Sequence, residues 1–151
     1  MTAVKQIDNE VLLPEVAALI RDGHTVTLAV RGNSMNPFMV DRRDKVVLGG
    51  VVESKLTAGV VVLARESEGR IVLHRIVRRD GNRLTLQGDG NVGQTELTDT
   101  AAVMGVVEAV VRKGKTYACD GTTWRRYSAA WQRLTFLRRP LLGIWRRMKK
   151  P

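Results

Sequence analysis

The sequence predicts a mainly β domain with a short amino-terminal helix and a basic, amphipathic carboxy-terminal helix. Hydrophobic residues make up 44% of the chain, and valine and leucine dominate them in short runs broken by glycine, which is typical of strands. The length of 151 residues suits one domain with one core. All 15 acidic residues precede residue 121, whereas nine of the 25 basic residues follow residue 122. The predicted segments are therefore an amino-terminal helical segment at 1–24, a β domain at 25–120 and a helical tail at 121–151.

The first elements follow from apolar spacing. Apolar residues recur at helical spacing from Asn9 to Arg21, which predicts a helix. A strand is predicted at 25–31, and it leads into a glycine turn. A short helical turn is expected at 35–40, where Met35 and Phe38 would fill the core beneath it.

Five further runs with apolar residues, most of them rich in valine, predict strands. Two of the breaks between them, Glu68-Gly69 and Asp80-Gly81-Asn82, contain residues that accept positive φ at little cost, which predicts hairpins on either side of the strand carrying His74. The run Val60-Val61-Val62-Leu63 does not alternate with polar residues, which indicates strands that are buried on both faces or wrapped into a barrel-like double sheet. The predicted strands are 45–48, 59–65, 70–78, 83–87 and 104–112.

Several classes of protein are disfavoured by composition. The lone Cys119 cannot form an intramolecular disulfide, and no Cys/His cluster has zinc-ligand spacing; we expect neither a metal nor a cofactor. The amino terminus lacks the pattern of an export signal, and no run reaches the roughly 18 apolar residues of a spanning helix. We therefore expect a cytoplasmic protein, with any membrane contact peripheral and on the cytoplasmic face.

A candidate nucleophile lies in the turn Gly32-Asn33-Ser34-Met35-Asn36-Pro37. Gly32 permits a tight turn, and Pro37 prevents an ordinary helix, so the hydroxyl of Ser34 is presented. The alternative is a hydrogen-bonded turn with no chemistry, because turns favour these residue types anywhere.

A serine hydroxyl needs a neighbouring base to act as a nucleophile. His24 falls on a predicted exposed turn, whereas His74 falls inside an apolar strand, either as a core residue or as that base. The segment Gly88-Asp89-Gly90-Asn91 places an acid after the next strand, where it could orient an imidazole on the adjacent strand.

Together, Gly32-x-Ser34-Met35-x-Pro37, Leu73-His74-Arg75-Ile76-Val77 and Gly88-Asp89-Gly90-Asn91 resemble, in that order, the motifs of the type I signal peptidase and LexA-type serine peptidase superfamily. Histidine in place of lysine is similar to its endoplasmic-reticulum and archaeal branch. The resemblance covers about residues 25 to 114 and implies the β-ribbon fold of coiled antiparallel sheets. It also implies catalytic roles and an oxyanion hole made mostly by backbone. The residues concerned are Ser34 as nucleophile, His74 as general base, Asp89 as orienting acid with Asp99 as its competitor, and Gly32, Asn33 and Met35 in the oxyanion turn.

The chain departs from that superfamily in two respects. We find neither the membrane-spanning segment of signal peptidases nor the DNA-binding domain and lysine base of LexA-type repressors. The expected function is a Ser/His peptidase that cuts a leader or signal-type peptide from a precursor protein. The alternative within the same fold is a catalytically silent peptide-binding module.

The tail has apolar residues at three- and four-residue steps with arginines opposite, and Pro140 is predicted to kink or divide its helix. Tryptophans at the border of such a helix are typical of binding in the plane of an anionic membrane surface. Alternatively, the apolar side packs on the domain's own sheet or on a second copy, so the oligomeric state stays open; nucleic-acid binding is a weaker option. The candidate contact residues are Trp124, Arg125, Arg126, Trp131, Arg138, Arg139, Trp145, Arg146 and Arg147.

Overall fold

The computed structural model describes residues 9–91, 93–119, 122–134 and 138–149. They form a mainly β protein, as predicted, in which eight strands build one curled antiparallel sheet accompanied by three short helices. Within these ranges none of the helices combines the length and apolar character needed to cross a bilayer. The helices are α1 (Asn9–Arg21), α2 (Thr122–Arg133) and α3 (Arg138–Lys149), and the strands are β1 (Val26–Ala29), β2 (Asp44–Gly49), β3 (Val61–Arg65), β4 (Ile71–Asp80), β5 (Arg83–Gln87), β6 (Glu96–Asp99), β7 (Val103–Arg112) and β8 (Lys115–Ala118).

The order of strands across the sheet is β1-β2-β7-β3-β4-β5-β6, and β8 pairs with β7 beside this path. The long strand β7 pairs with β3 through its first residues and with β2 through its later ones, so it joins the two halves of the sheet. The β3–β4 and β4–β5 hairpins form at the predicted turns. As a result β4, β5 and β6 lie side by side at one end of the sheet.

One β-bulge decides which side chains of β4 and β5 share a face. Near the turn Arg78 pairs with Thr85, but beyond Val77 the register shifts by one residue, so that Arg75 pairs with Gln87. Because strand side chains alternate between faces, a one-residue shift exchanges the faces on which the following side chains meet. This shift fixes the arrangement of the acids near His74.

Both faces of the sheet bury apolar side chains. One cluster joins α1, the segment after β1 and strands β2, β3 and β7, with Val16, Met35 and Met39 among its most buried members. The other cluster centres on Val62, Leu84 and other residues of β3 to β5. All four residues from 61 to 64 are buried, which confirms the prediction of a strand covered on both faces. Each such side chain contributes roughly 1.5–3 kcal/mol by leaving water.

The segment between β1 and β2 is anchored at its end by Asp44, which is almost fully buried. Its carboxylate accepts hydrogen bonds from the Val40 backbone N–H at 2.8 Å and from the side chains of Arg43 and Arg112, at 3.0 and 2.9 Å. Burial raises the pKa of the Asp44 carboxyl, but the hydrogen bonds from Arg112, Arg43 and Val40 outweigh this effect and lower it overall. Asp44 therefore holds the segment as an ionised carboxylate at neutral pH.

Candidate active site

The turn that carries Ser34 lies between β1 and β2. Gly32 adopts a left-handed conformation with φ 79°, and the backbone N–H of Asn36 donates to the carbonyl of Asn33 at 3.2 Å. Met35 follows with only 2% of its surface exposed. The predicted glycine turn with Met35 in the core is therefore present, and Ser34 is half-buried at its top.

The nearest acid to the base candidate is one that the sequence reasoning missed. His74 lies on β4 with 5% exposure, and its Nδ1 is 2.9 Å from Oε2 of Glu96, the first residue of β6. An ionised carboxylate only accepts hydrogen bonds, so Nδ1 carries the proton and donates a hydrogen bond to Glu96. In the neutral imidazole, Nε2 is then unprotonated and can accept a proton.

Gly88, directly after β5, lies between His74 and the serine turn. A Cβ atom on Gly88 would collide with the carbonyl oxygen of Ser34 and would lie 3.1 Å from Nε2 of His74. Nε2 of His74 and the Ser34 backbone thus lie on either side of Gly88. The backbone N–H of Gly90 donates to the Ser34 carbonyl at 2.8 Å, which fixes the two segments against each other.

Replacing Gly88 with alanine is expected to lower any Ser34-dependent cleavage about 100-fold, because the added methyl group must displace the Ser34 backbone and a displacement near 1 Å costs about that factor. The measurement is kcat/KM beside a thermal unfolding curve. Gly93→Ala is not a suitable control because Gly93 has φ 82°; Gly50→Ala, where a Cβ meets open space, is the matched control. Equal activity of Gly88→Ala and Gly50→Ala would contradict this geometry.

The described residues show no hydrogen bond between the Ser34 hydroxyl and His74, and none that uses the backbone N–H of Ser34. Catalytic hydrogen bonds are often loose in free enzymes and tighten when substrate binds. The Ser34 backbone therefore lies near Nε2 of His74, with Gly88 between them, and the Ser34 N–H is available to an oxyanion. Gly32, Asn33 and Met35 surround it as turn residues.

The expectation that Asp89 orients His74 is wrong. The Asp89 carboxylate instead accepts hydrogen bonds from Nε of Arg75 at 2.8 Å and from Nη2 at 2.6 Å. The hydrogen-bond partner of Nδ1 of His74 is Glu96. The bulge at Val77 shifts the register so that Arg75 pairs with Gln87, the last residue of β5, and Asp89 follows in the turn beyond that strand, within reach of Arg75.

The competitor acid Asp99 is not the partner of His74 either. It lies at the end of β6, where its Oδ1 accepts the backbone N–H of Ala102 at 3.0 Å and so caps the short 3₁₀ helix at Thr100–Ala102. Its role among the described residues is therefore structural.

Helix α2 contacts the ion pair between Arg75 and Asp89. Nη1 of Arg75, a residue with no exposed surface, donates to the Ser128 hydroxyl at 2.9 Å and to the Gly59 carbonyl at 2.9 Å. The indole Nε1 of Trp131 donates to the Asp89 carbonyl at 3.1 Å. Two residues of α2 thus fix the loop whose glycines contact the serine turn.

The two tryptophans of α2 pack against the protein's own domain. Trp124 and Trp131 are half-buried, and their rings meet the Phe38 ring edge-on at centroid distances of 5.7 and 6.0 Å. For α2 the structure shows the alternative, an apolar side packed on the protein's own domain, with Arg125 and Arg126 exposed on the other side.

Helix α3 carries the remaining tail residues. The tail is divided into two helices as predicted, with Pro140 in the first turn of α3. Trp145 is half-buried, and Arg146 and Arg147 are exposed. The side chains of Arg138 and Arg139 lie outside the described residues.

Comparison of the chain with protein-family models, with curated proteins and with solved structures finds no match. A function for this protein is therefore argued from its own geometry, above all from Ser34, His74 and Glu96.

Proposed function

We propose that this protein is a serine endopeptidase in which Ser34 is the nucleophile, His74 the general base and Glu96 the acid that orients His74. The observation that carries the proposal is the 2.9 Å contact between Nδ1 of His74 and Glu96, with Nε2 of the same ring beside Gly88 and the serine turn. A nucleophile, a base and an orienting acid in this order are the parts that acyl transfer by a serine requires.

The proposed reaction follows from the proton positions. The Ser34 hydroxyl oxygen attacks the carbonyl carbon of the scissile peptide bond while Nε2 of His74 takes the hydroxyl proton. The Glu96 carboxylate stabilises the resulting imidazolium by accepting a hydrogen bond from its Nδ1–H, and the proton stays on the ring. Nε2 then gives its proton to the amine nitrogen as the peptide C–N bond breaks, which leaves the acyl group on the Ser34 oxygen. In the second half, a water attacks the acyl carbon while Nε2 takes its proton, and Nε2 returns that proton to the Ser34 oxygen as the acyl–oxygen bond breaks.

Negative charge develops on the carbonyl oxygen during the attack. The backbone N–H of Ser34, which makes no hydrogen bond among the described residues, is a donor suited to that charge. Removal of one such donor typically costs 10²–10³ in kcat. In this proposal the oxyanion hole is therefore made mainly by backbone, as the turn of Gly32, Asn33 and Met35 presents it.

We also propose that the fold is that of the type I signal peptidase and LexA-type superfamily and that the substrate is a leader or signal-type peptide of a precursor protein. A curled antiparallel sheet with Ser34 after its first strand supports this assignment. In the described sheet β1 is the terminal strand and pairs only with β2, so its outer edge offers backbone groups to an extended peptide. Such a peptide would run toward Ser34.

The test is cleavage of a proteome-derived peptide library, with the new amino termini identified by mass spectrometry. Ser34→Ala and His74→Ala are each expected to abolish the cuts made by the wild-type protein, while circular dichroism shows that each variant is still folded. Val52→Ala, which truncates an exposed side chain elsewhere, is the control that should cleave normally. Cuts that persist in either active-site variant would overturn the proposal.

A second candidate function is a peptide-binding module that does not cut, which the lack of a Ser34–His74 hydrogen bond in the described residues favours. A Ser34→Cys variant separates the two without any substrate. If His74 reaches residue 34, the introduced thiol should react with iodoacetamide at least ten times faster than in the Ser34→Cys, His74→Ala double variant, because the base stabilises the thiolate. Equal rates, together with uncut but bound peptides, would establish the binding module.

A further inference from the structure

Helix α3 has apolar side chains on two sides. On one side Leu142 is buried, with 3% of its surface exposed. On the other side Ile144 and Met148 are 55% and 78% exposed, and Leu141 is exposed as well. Residues 141, 144 and 148 are three and four positions apart, so they form one continuous stripe along the helix. We call these three residues the outer stripe.

The surroundings of the outer stripe are basic. Arg147, next to Met148 in sequence and one turn from Ile144, is exposed, as is Arg146. No Asp or Glu occurs after residue 120, so no acid of the tail offsets these charges. A stripe of exposed large apolar residues beside uncompensated arginines is suited to a surface that is apolar within and negatively charged at its border.

We propose that the outer stripe binds the surface of an anionic lipid bilayer. Leu141, Ile144 and Met148 enter the boundary between headgroups and acyl chains, and Arg147, one turn from Ile144, contacts lipid phosphates. Arg146, on the far side of the helix, adds positive charge close to the anionic surface. The helix lies in the membrane plane, because its length and apolar character do not allow it to span. This inference does not use Ser34 or His74, so it stands or falls independently of the proposed peptidase.

Two other occupants fit the same face less well. A nucleic acid would engage the arginines but would leave the exposed side chains of Ile144 and Met148 without a partner. A second copy packed through the same stripe would bring the arginines of two α3 helices together with no acid of either tail between them, which is unfavourable. The lipid surface uses both the apolar and the basic residues.

The test is co-sedimentation of the full-length protein with vesicles of phosphatidylcholine alone or with one third phosphatidylglycerol. The wild-type protein is expected to bind the anionic vesicles at least ten times more tightly than the neutral ones. The Ile144→Gln, Met148→Gln double variant should lose at least ten-fold in affinity for the anionic vesicles. The Arg146→Gln, Arg147→Gln double variant should lose most of the preference for them.

Leu19→Gln is the matched control, because Leu19 is also an apolar helix residue, 45% exposed, but lies on α1; its binding should equal that of wild type. Circular dichroism establishes that each variant is folded. Equal binding to both kinds of vesicle, or unchanged binding after the Ile144 and Met148 substitutions, would overturn the proposal. Tighter binding to duplex DNA than to vesicles, unchanged by the Ile144 and Met148 substitutions, would also overturn it. So would a wild-type protein that does not bind vesicles and forms a dimer that the Ile144 and Met148 substitutions dissociate.

Discussion

Replacing Glu96 with glutamine is expected to lower the rate of peptide cleavage about 10⁴-fold, the size of effect found when the acid of a serine-protease triad becomes an amide. A glutamine side chain can donate as well as accept, so it no longer requires the proton of His74 to be on Nδ1, and it provides no charge opposite the imidazolium. The measurement is kcat on a library peptide that the wild-type protein cuts. Unfolding by urea should show a folded protein.

Asp99→Asn is the control for this experiment, because Asp99 is the acid at the other end of the same strand, β6. It is expected to change kcat by less than about threefold, since its carboxylate only caps a short helix. Near-normal cleavage by Glu96→Gln, or a large loss with Asp99→Asn, would contradict the assignment of Glu96 as the orienting acid.

Replacing Asp89 with asparagine is expected to lower the free energy of unfolding by about 3–5 kcal/mol, the usual cost of breaking a buried ion pair. The guanidinium of Arg75 has no exposed surface, and without the carboxylate its charge would be buried without compensation. The measurement is equilibrium unfolding in urea. The Arg75→Met, Asp89→Leu double variant should be more stable than Asp89→Asn, because it removes both charges together.

Glu96 and Asp89 therefore differ in what each substitution changes. Glu96→Gln should affect kcat and spare stability, whereas Asp89→Asn should affect stability first. An Asp89→Asn protein within about 0.5 kcal/mol of wild type that has lost all cleavage would place Asp89 in the catalytic group instead.

Much of the fold was predictable because apolar periodicity is strong in it. The helix at Asn9–Arg21 and the strand at Arg83–Gln87 have the predicted bounds, and the other predicted strands differ from the observed ones by a few residues. Strands β6 and β8 escaped prediction because each has only four residues, with polar side chains among them and little burial. Their pairing with β5 and β7 defines them, and that pairing is non-local information.

The error over Asp89 has a specific cause. If the register near the β4–β5 turn continued unbroken, residues 74 and 89 would be opposite each other. The bulge at Val77 shifts the pairing by one residue, and glycine, rather than aspartate, comes next to the imidazole. The residue types around Val77 do not predict this bulge.

The arginine at position 75 is the sequence signal that points to the observed pairing. An arginine inside the apolar run 70–78 needs a carboxylate partner if it is buried, and Arg75 is fully buried. Assigning Asp89 to Arg75 would have left His74 in need of another acid. Glu96, 22 residues further along the chain, could then have been considered.

The hydrogen bond that Arg75 donates to Ser128 and the one that Trp131 donates to the Asp89 carbonyl limit how far the protein can be shortened from its carboxy-terminal end. A form ending near residue 121 would leave the guanidinium of Arg75 and the Asp89 loop without their α2 contacts. We expect it to express poorly or to be inactive, whether or not α3 binds a membrane. A form ending near residue 134 keeps those contacts and removes only α3. The two helices of the tail thus differ in kind: α2 completes the surroundings of Arg75 and Asp89, whereas, among the described residues, α3 contributes to neither.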